Sequence, residues 1–146
     1  MQVLVKRKEG CEDLDLPRYM SSGSSGMDLY AAVDGAVEIE PGKVQLIPTG
    51  IHIALPQGYE VQVRPRSGLA LKNGVTVLNA PGTVDSDYRN EVGVILANLG
   101  QKAFTVERGM RIAQMVVAET CKAELCEVDE LSSTQRGLGG FGSTGV

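Results

Sequence analysis

Lys43-Val-Gln-Leu-Ile-Pro-Thr-Gly-Ile-His-Ile-Ala-Leu-Pro-Gln-Gly-Tyr-Glu-Val-Gln-Val-Arg64 is the stretch that decides the fold class. Lys43 to Ile47, Ile51 to Leu55 and Tyr59 to Arg64 are short runs that are β-branched or alternate apolar with polar residues. A period of two puts one face of such a run in a core and the other toward water. Pro56-Gln-Gly58 separates the last two runs, and a Pro-x-Gly break suits a turn rather than a helix. His52, the single histidine, stands between Ile51 and Ile53 and therefore takes an outward strand position.

The same pattern continues on both sides. Val3 to Val5, Met27 to Ala32, Ala36 to Glu40, Glu91 to Asn98 and Ile112 to Ala118 read as strands. Asp34-Gly35, Pro41-Gly42, Asn73-Gly74 and Pro81-Gly82 supply turn signals between them. One stretch invites a helix: Ser67 as N-cap of Gly68-Leu-Ala-Leu-Lys72, ended by Asn73-Gly74. The expectation is an all-β, sandwich-like or barrel-like fold with one short helix. There is no internal repeat, and the loose segments are Ser21 to Gly26 and the tail from about Ser132. The chain has 146 residues, which suits one domain. Tryptophan is absent and aromatics make up only 4%. The core is therefore expected to be Val, Ile and Leu, supplemented by apolar surface buried between subunits.

Composition excludes several classes. The net charge is −4 and no basic run stands out, which argues against a duplex nucleic acid as partner. No apolar run approaches the length of a membrane span. Met1 to Lys8 alternates apolar and charged residues and lacks the apolar block of a signal peptide, so a cytoplasmic protein is expected. Cys11, Cys121 and Cys126 are odd in number without CxxC spacing and read as idle thiols. A lone histidine argues against a histidine triad or a multi-histidine metal site.

Four places carry possible chemistry. The tail, Arg136-Gly-Leu-Gly-Gly-Phe-Gly-Ser-Thr-Gly-Val146, combines backbone freedom, a guanidinium and one ring. Such a segment can wrap an anion while Phe141 stacks on a flat base, as a nucleotide lid would. Pro65-Arg66-Ser67-Gly68 ends a strand and begins the helix, which presents N–H groups beside a full positive charge. Asn79-Ala-Pro-Gly-Thr-Val-Asp85-Ser-Asp87-Tyr88-Arg89 gathers polar side chains between two strands, and Asp85 is placed to serve as general base for a water. Arg111 and Gln114 either reach a phosphate or pair on the surface. Asp28, at the entry to a strand, reads first as a turn acid bonded to nearby backbone.

Taken in order, five blocks resemble the trimeric dUTPase family (deoxyuridine triphosphate nucleotidohydrolases). They are Ser25-Gly-Met-Asp-Leu-Tyr-Ala31, Pro65-Arg-Ser-Gly-Leu-Ala-Leu-Lys-Asn-Gly74, Gly82-Thr-Val-Asp-Ser-Asp-Tyr-Arg-Asn-Glu-Val-Gly-Val94, Arg108-Gly-Met-Arg-Ile-Ala-Gln114 and Arg136-Gly-Leu-Gly-Gly-Phe-Gly-Ser-Thr-Gly145. They span nearly the whole chain. The resemblance implies a distorted jelly roll assembled as a homotrimer with shared active sites. Residues 1–131 would form the β domain, and residues 132–146 a flexible lid closing over a site built by other subunits. The implied reaction is hydrolysis of dUTP to dUMP and pyrophosphate. It limits uracil incorporation into DNA and supplies dUMP for thymidylate synthesis. Mg²⁺ would be held mainly by triphosphate oxygens and water, with no direct protein ligand.

The resemblance also implies roles residue by residue. Asp85 matches the catalytic carboxylate that orients and deprotonates water for attack on the α-phosphate. Tyr88 would pack on the sugar and leave no room for a 2′-OH. Asn79, with backbone around Gly82, Thr83, Val84 and Gly93, would read the uracil edge. Arg66, Ser67 and Gly68 would hold the phosphates with Gln114. Arg136, Gly142, Ser143 and Thr144 would close on the γ-phosphate, and Phe141 would stack over uracil. Asp28 would act through a water near the metal or through a structural bond. The chain departs from the usual pattern at Asn90, where glycine is common and a left-handed asparagine is expected, and at Ser25 and Tyr30. Two other readings compete. A deoxycytidine triphosphate deaminase would need an acid beside the base, and Ser67-Gly-Leu-Ala70 offers none. A regulatory nucleotide-binding module would favour loss of Asp85 or the tail, and both are present.

Overall fold

The structure is a computed structural model that describes residues 1–140. Among these, ten strands and one helix follow in the order β1 (Leu4–Arg7), β2 (Met27–Tyr30), β3 (Val37–Ile39), β4 (Val44–Ala54), β5 (Tyr59–Arg64), α1 (Ser67–Asn73), β6 (Val75–Val77), β7 (Gly82–Val84), β8 (Glu91–Asn98), β9 (Phe104–Val106) and β10 (Arg111–Glu119). Two four-stranded antiparallel sheets dominate, ordered β1-β4-β8-β6 and β2-β10-β5-β7, and β3 pairs with β9. Their inward residues form one continuous core of Val, Ile, Leu and Met with a single aromatic, Phe104. Alternation along each strand produces that core: Ile47, Ile51 and Ile53 of β4 meet Val92, Val94 and Leu96 of β8 on the buried side. No helix among the described residues is long and apolar enough to cross a membrane.

The expected fold class holds, with three changes of detail. Lys43 to Ile47 and Ile51 to Leu55 are not separate strands but the two halves of β4. Register shifts between Pro48↔Gly93 and His52↔Glu91, so the strand carries a bulge where two strands were expected. Gly50 takes φ +69° there, and a Cβ on it would lie 2.7 Å from Cys11 Sγ. Thr49 Oγ1 donates to Val92 O at 2.5 Å and satisfies the disturbed ladder. The second change concerns β6, β7 and β9. Each has three residues, too few to display a period, and each is fixed by the partner it pairs with. The third concerns the helix start. Ser67 is the first helical residue, not its N-cap; Arg66 occupies the cap with an extended backbone and makes no side-chain capping bond. The helix end is as expected, with Gly74 left-handed at φ +69°. His52 is half-buried on the outer side of β4, its Nδ1 3.1 Å from Arg89 O.

Asn98 is the one fully buried amide in the core. Its Nδ2 donates to Ile39 O at 2.7 Å and Lys102 O at 2.8 Å, and its Oδ1 accepts from Gly100 N at 2.9 Å. These bonds fasten β3 and the β8–β9 turn to the end of β8 at no desolvation cost left unmet.

The outer face of the β1-β4-β8-β6 sheet is unusually apolar. Val44 and Leu46 are exposed, Leu46 by 67%, and Pro48 and Ile95 lie half-buried beside them. Beyond β10, residues 120–140 form no strand or helix and expose Leu125, Val128, Leu131 and Leu138.

Candidate active site

The outer face of the second sheet positions a cluster of charged side chains. Asp28 on β2, Gln114 on β10 and Arg64 on β5 stand directly opposite one another in register. They share the outward side because their neighbours Leu29, Met115 and Val63 all point into the core. Arg66, just past the end of β5, and Arg111, at the start of β10, close one end of this row. A cleft of about 510 Å³ results, lined in part by Asp28, Arg64, Arg66, Ser67, Gly68, Arg111 and Gln114.

Asp28 organises the cleft. Its side chain is only 12% exposed. Oδ1 accepts Arg66 Nε at 3.1 Å and Oδ2 accepts Arg111 Nη1 at 3.1 Å. Arg66 Nη1 also donates to Arg111 O at 3.1 Å. Asp28 is thus not a turn acid bonded to local backbone. It fixes two guanidiniums, and Arg111 settles into pairing with it rather than standing alone on the surface. Gln114 Nε2 donates to Pro65 O at 3.0 Å, which ties β10 to the turn into α1. A Cβ on Gly26 would lie 2.5 Å from Gln114 Oε1, so glycine is what permits this close approach. The amides of Ser67 and Gly68 precede the first helical bond, Leu69 N to Arg66 O at 3.1 Å. Arg66, Ser67, Gly68 and Gln114 are therefore brought together, with Asp28 at their centre.

The Asn79–Arg89 segment forms a second constellation. β7 pairs with β5 through Gly82↔Val63, Thr83↔Gln62 and Val84↔Val61. A methyl on Gly82 would stand 3.1 Å from Asn79 Nδ2, which places the Asn79 amide against the start of β7. Asp85 follows Val84 and is exposed. Its backbone carbonyl accepts Tyr88 N at 3.1 Å, and no described side chain pairs with its carboxylate. Tyr88 Oη donates to Glu91 O at 2.9 Å. Asn90 acts through its side chain, whose Oδ1 accepts Glu91 N at 2.8 Å. Glu91 is anchored twice, to Lys8 Nζ at 2.9 Å and to Gly50 N at 2.9 Å. Burial pushes its carboxyl upward, but the bonds from Lys8 and Gly50 outweigh that and hold it below the usual glutamate value. Tyr88 and Gly93 line a separate cleft of about 390 Å³ with Leu46, Pro48 and Ile95, on the apolar outer face of the first sheet.

The two constellations do not converge within one chain. β7 runs antiparallel to β5, and its register carries Asp85 past Val61 toward Glu60. Arg64 lies four residues further along β5, which at about 3.3 Å per residue leaves a gap of about 13 Å. Arg136 is exposed and folds onto its own tail, Nε donating to Gly139 O at 2.8 Å. Phe141, Gly142, Ser143 and Thr144 lie outside the described residues. Arg64 is not among the residues the sequence singles out; its only signal there is the outward alternation of β5.

The dUTPase family model matches residues 12–145. The deoxyuridine 5′-triphosphate nucleotidohydrolase of Rhizobium leguminosarum bv. trifolii is 63% identical over 145 residues, covering 98% of this chain and 92% of that one. Its counterpart from Caldanaerobacter subterraneus subsp. tengcongensis is 59% identical, covering 97% and 96%. Among solved structures, the dUTPase of Staphylococcus bacteriophage 80alpha with dUPNHPP superposes with a TM-score of 0.84 at 26% identity, covering 99% of both chains.

Proposed function

The chain belongs to the dUTPase family, and on that premise we propose that it hydrolyses dUTP to dUMP and pyrophosphate by attack of water on the α-phosphate. The observation that carries this reading is the Asp28-tethered pair Arg66 and Arg111, set in a cleft with Ser67, Gly68 and Gln114. Two guanidiniums held by a shared carboxylate need not reorganise when a polyphosphate arrives. Such preorganisation lowers the cost of binding and of stabilising charge in the transition state.

Asp85 supplies the base. Its exposed, unpaired carboxylate accepts the proton of a water and aims that water at phosphorus. Tyr88, held by Glu91 O, packs on the deoxyribose and excludes a 2′-OH by volume. Asn79 and the backbone of Gly82, Thr83, Val84 and Gly93 read the uracil edge. A mismatched base would leave buried polar groups unpaired, at about 1–3 kcal/mol each. Residues 132–146 act as the lid, with Arg136, Gly142, Ser143 and Thr144 on the terminal phosphate and Phe141 over the base.

The residues present fit Mg²⁺ carried by the triphosphate. Each Asp28 oxygen accepts one guanidinium bond and keeps acceptor capacity for a metal-bound water. Mg²⁺, when bound, neutralises phosphate charge.

Separation of Asp85 from the arginine cleft supports sites that draw on more than one subunit, and family membership favours a homotrimer as the assembly. Two further features favour assembly: the apolar outer face around Val44 and Leu46, and the exposed apolar residues of the segment after β10. Three unpaired cysteines agree with a cytoplasmic protein. The deciding experiment is pyrophosphate release from dUTP, with dTTP, dCTP and UTP in parallel, with and without Mg²⁺. Mg²⁺-dependent release from dUTP alone is expected; comparable release from UTP or dTTP would overturn the sugar or base filter.

A further inference from the structure

We propose that Arg64 is a further substrate-contacting residue of the cleft, binding the polyphosphate beyond the α-phosphate. The proposal rests on the reading of this cleft as the phosphate site. Asp28, Gln114 and Arg64 form one row across three neighbouring strands. Strands lie about 4.8 Å apart, so the row spans about 10 Å between its end residues. Arg66 and Arg111 gather at the Asp28 end, and Arg64 stands alone at the other. A linear polyanion lying along the row meets cations at both ends, whereas a single phosphate meets only one.

Orientation is built in. Gln62 Nε2 donates to Glu60 Oε1 at 2.6 Å, which turns the Gln62 carbonyl toward Arg64. That carbonyl accepts Arg64 Nε at 3.1 Å and Nη2 at 2.6 Å. Of the five guanidinium N–H donors, three remain for a ligand. No carboxylate forms a salt bridge with Arg64 among the described residues. Around the cleft, three guanidiniums therefore face one carboxylate. The excess of two positive charges matches a nucleoside triphosphate carrying one divalent cation.

The test compares Arg64→Gln and Arg64→Lys with Arg66→Gln, measuring KM and kcat for dUTP and the inhibition constant of dUMP. For Arg64→Gln the KM for dUTP is expected to rise about five- to tenfold, the worth of one partly exposed charged hydrogen bond, and to rise more than kcat falls. Inhibition by dUMP should stay within about twofold, and Arg64→Lys should recover part of the loss. An unchanged KM in Arg64→Gln, with Arg66→Gln impaired, overturns the proposal and leaves the cleft assignment standing. Equal weakening of dUTP and dUMP also overturns it, because contact beyond the α-phosphate cannot weaken dUMP. If Arg66→Gln is silent as well, the phosphate reading of the whole cleft fails.

Discussion

The Asp28 cleft and the Asn79–Arg89 hairpin are held by opposite means. The cleft depends on side chains from three elements distant in sequence: Asp28 pairs with residues 38 and 83 positions away. The hairpin depends on short-range bonds, among them Tyr88 to Glu91 O, Asn90 to Glu91 N and Arg89 Nη1 to Ser86 O at 2.7 Å. In the cleft every charge is engaged or oriented; at the hairpin tip the carboxylate of Asp85 is left exposed. On the proposed roles, the contrast teaches that the phosphate-binding side chains are arranged within one chain, while the acid proposed as base is presented outward.

This contrast divides the expected kinetics. Loss of the proposed base should strike kcat alone, and cleft changes should weigh more on KM. The largest effect belongs to Asp85→Asn, which should cut turnover about 10²- to 10⁴-fold while dUTP affinity by equilibrium binding stays within about threefold. Wild-type turnover in this variant would remove the base assignment. Next comes a chain ended at Gln135, which removes Arg136 and the ring. Its turnover should fall about a hundredfold, with thermal midpoint and assembly by sedimentation unchanged. Retained activity would dismiss the lid.

A smaller effect is expected on the cleft side. Asp28→Asn keeps the volume but leaves two guanidiniums facing each other uncompensated. KM for dUTP should rise about tenfold, and stability to denaturant should drop by about 1–2 kcal/mol, discounted because Arg111 is partly exposed. A kcat loss larger than the KM change would blur the division between the regions.

The smallest effect concerns the hairpin root. The Glu91 carboxyl is held below its usual value, so its contribution to stability is present above about pH 4.5, the unfolded value, and is lost as pH falls through the lower folded value. Glu91→Gln should cost about 1 kcal/mol at neutral pH and flatten the acid limb of a thermal-midpoint-versus-pH curve. An unchanged acid limb would show that Lys8 and Gly50 do not anchor this root.

Much of this was legible before the structure. Runs with a clear period, such as Glu91 to Asn98 and Tyr59 to Arg64, declare themselves because alternation is local. The left-handed Gly74 was legible because Asn-Gly after a short helical run has few other uses. What was hidden is set by distant partners. The bulge that joins the halves of β4 exists because Gly50 must pack on Cys11 and donate its N–H to Glu91, neither of which is near in sequence. Ser67 is not the N-cap because the helix begins one residue earlier than the polar pattern suggested, with Arg66 extended at the cap. The tethering role of Asp28 and the orientation of Arg64 by Gln62 needed the strand register.

The gap of about 13 Å between Asp85 and the arginine row has a genetic consequence. If a site takes its base from one subunit and its cations from another, two different loss-of-function alleles need not be equivalent to one. A cell carrying an Asp85→Asn copy and an Arg66→Gln copy would assemble mixed oligomers, and some of their sites would draw both intact parts. Two inactive genes would then complement each other in the same cytoplasm, while either allele alone would score as null.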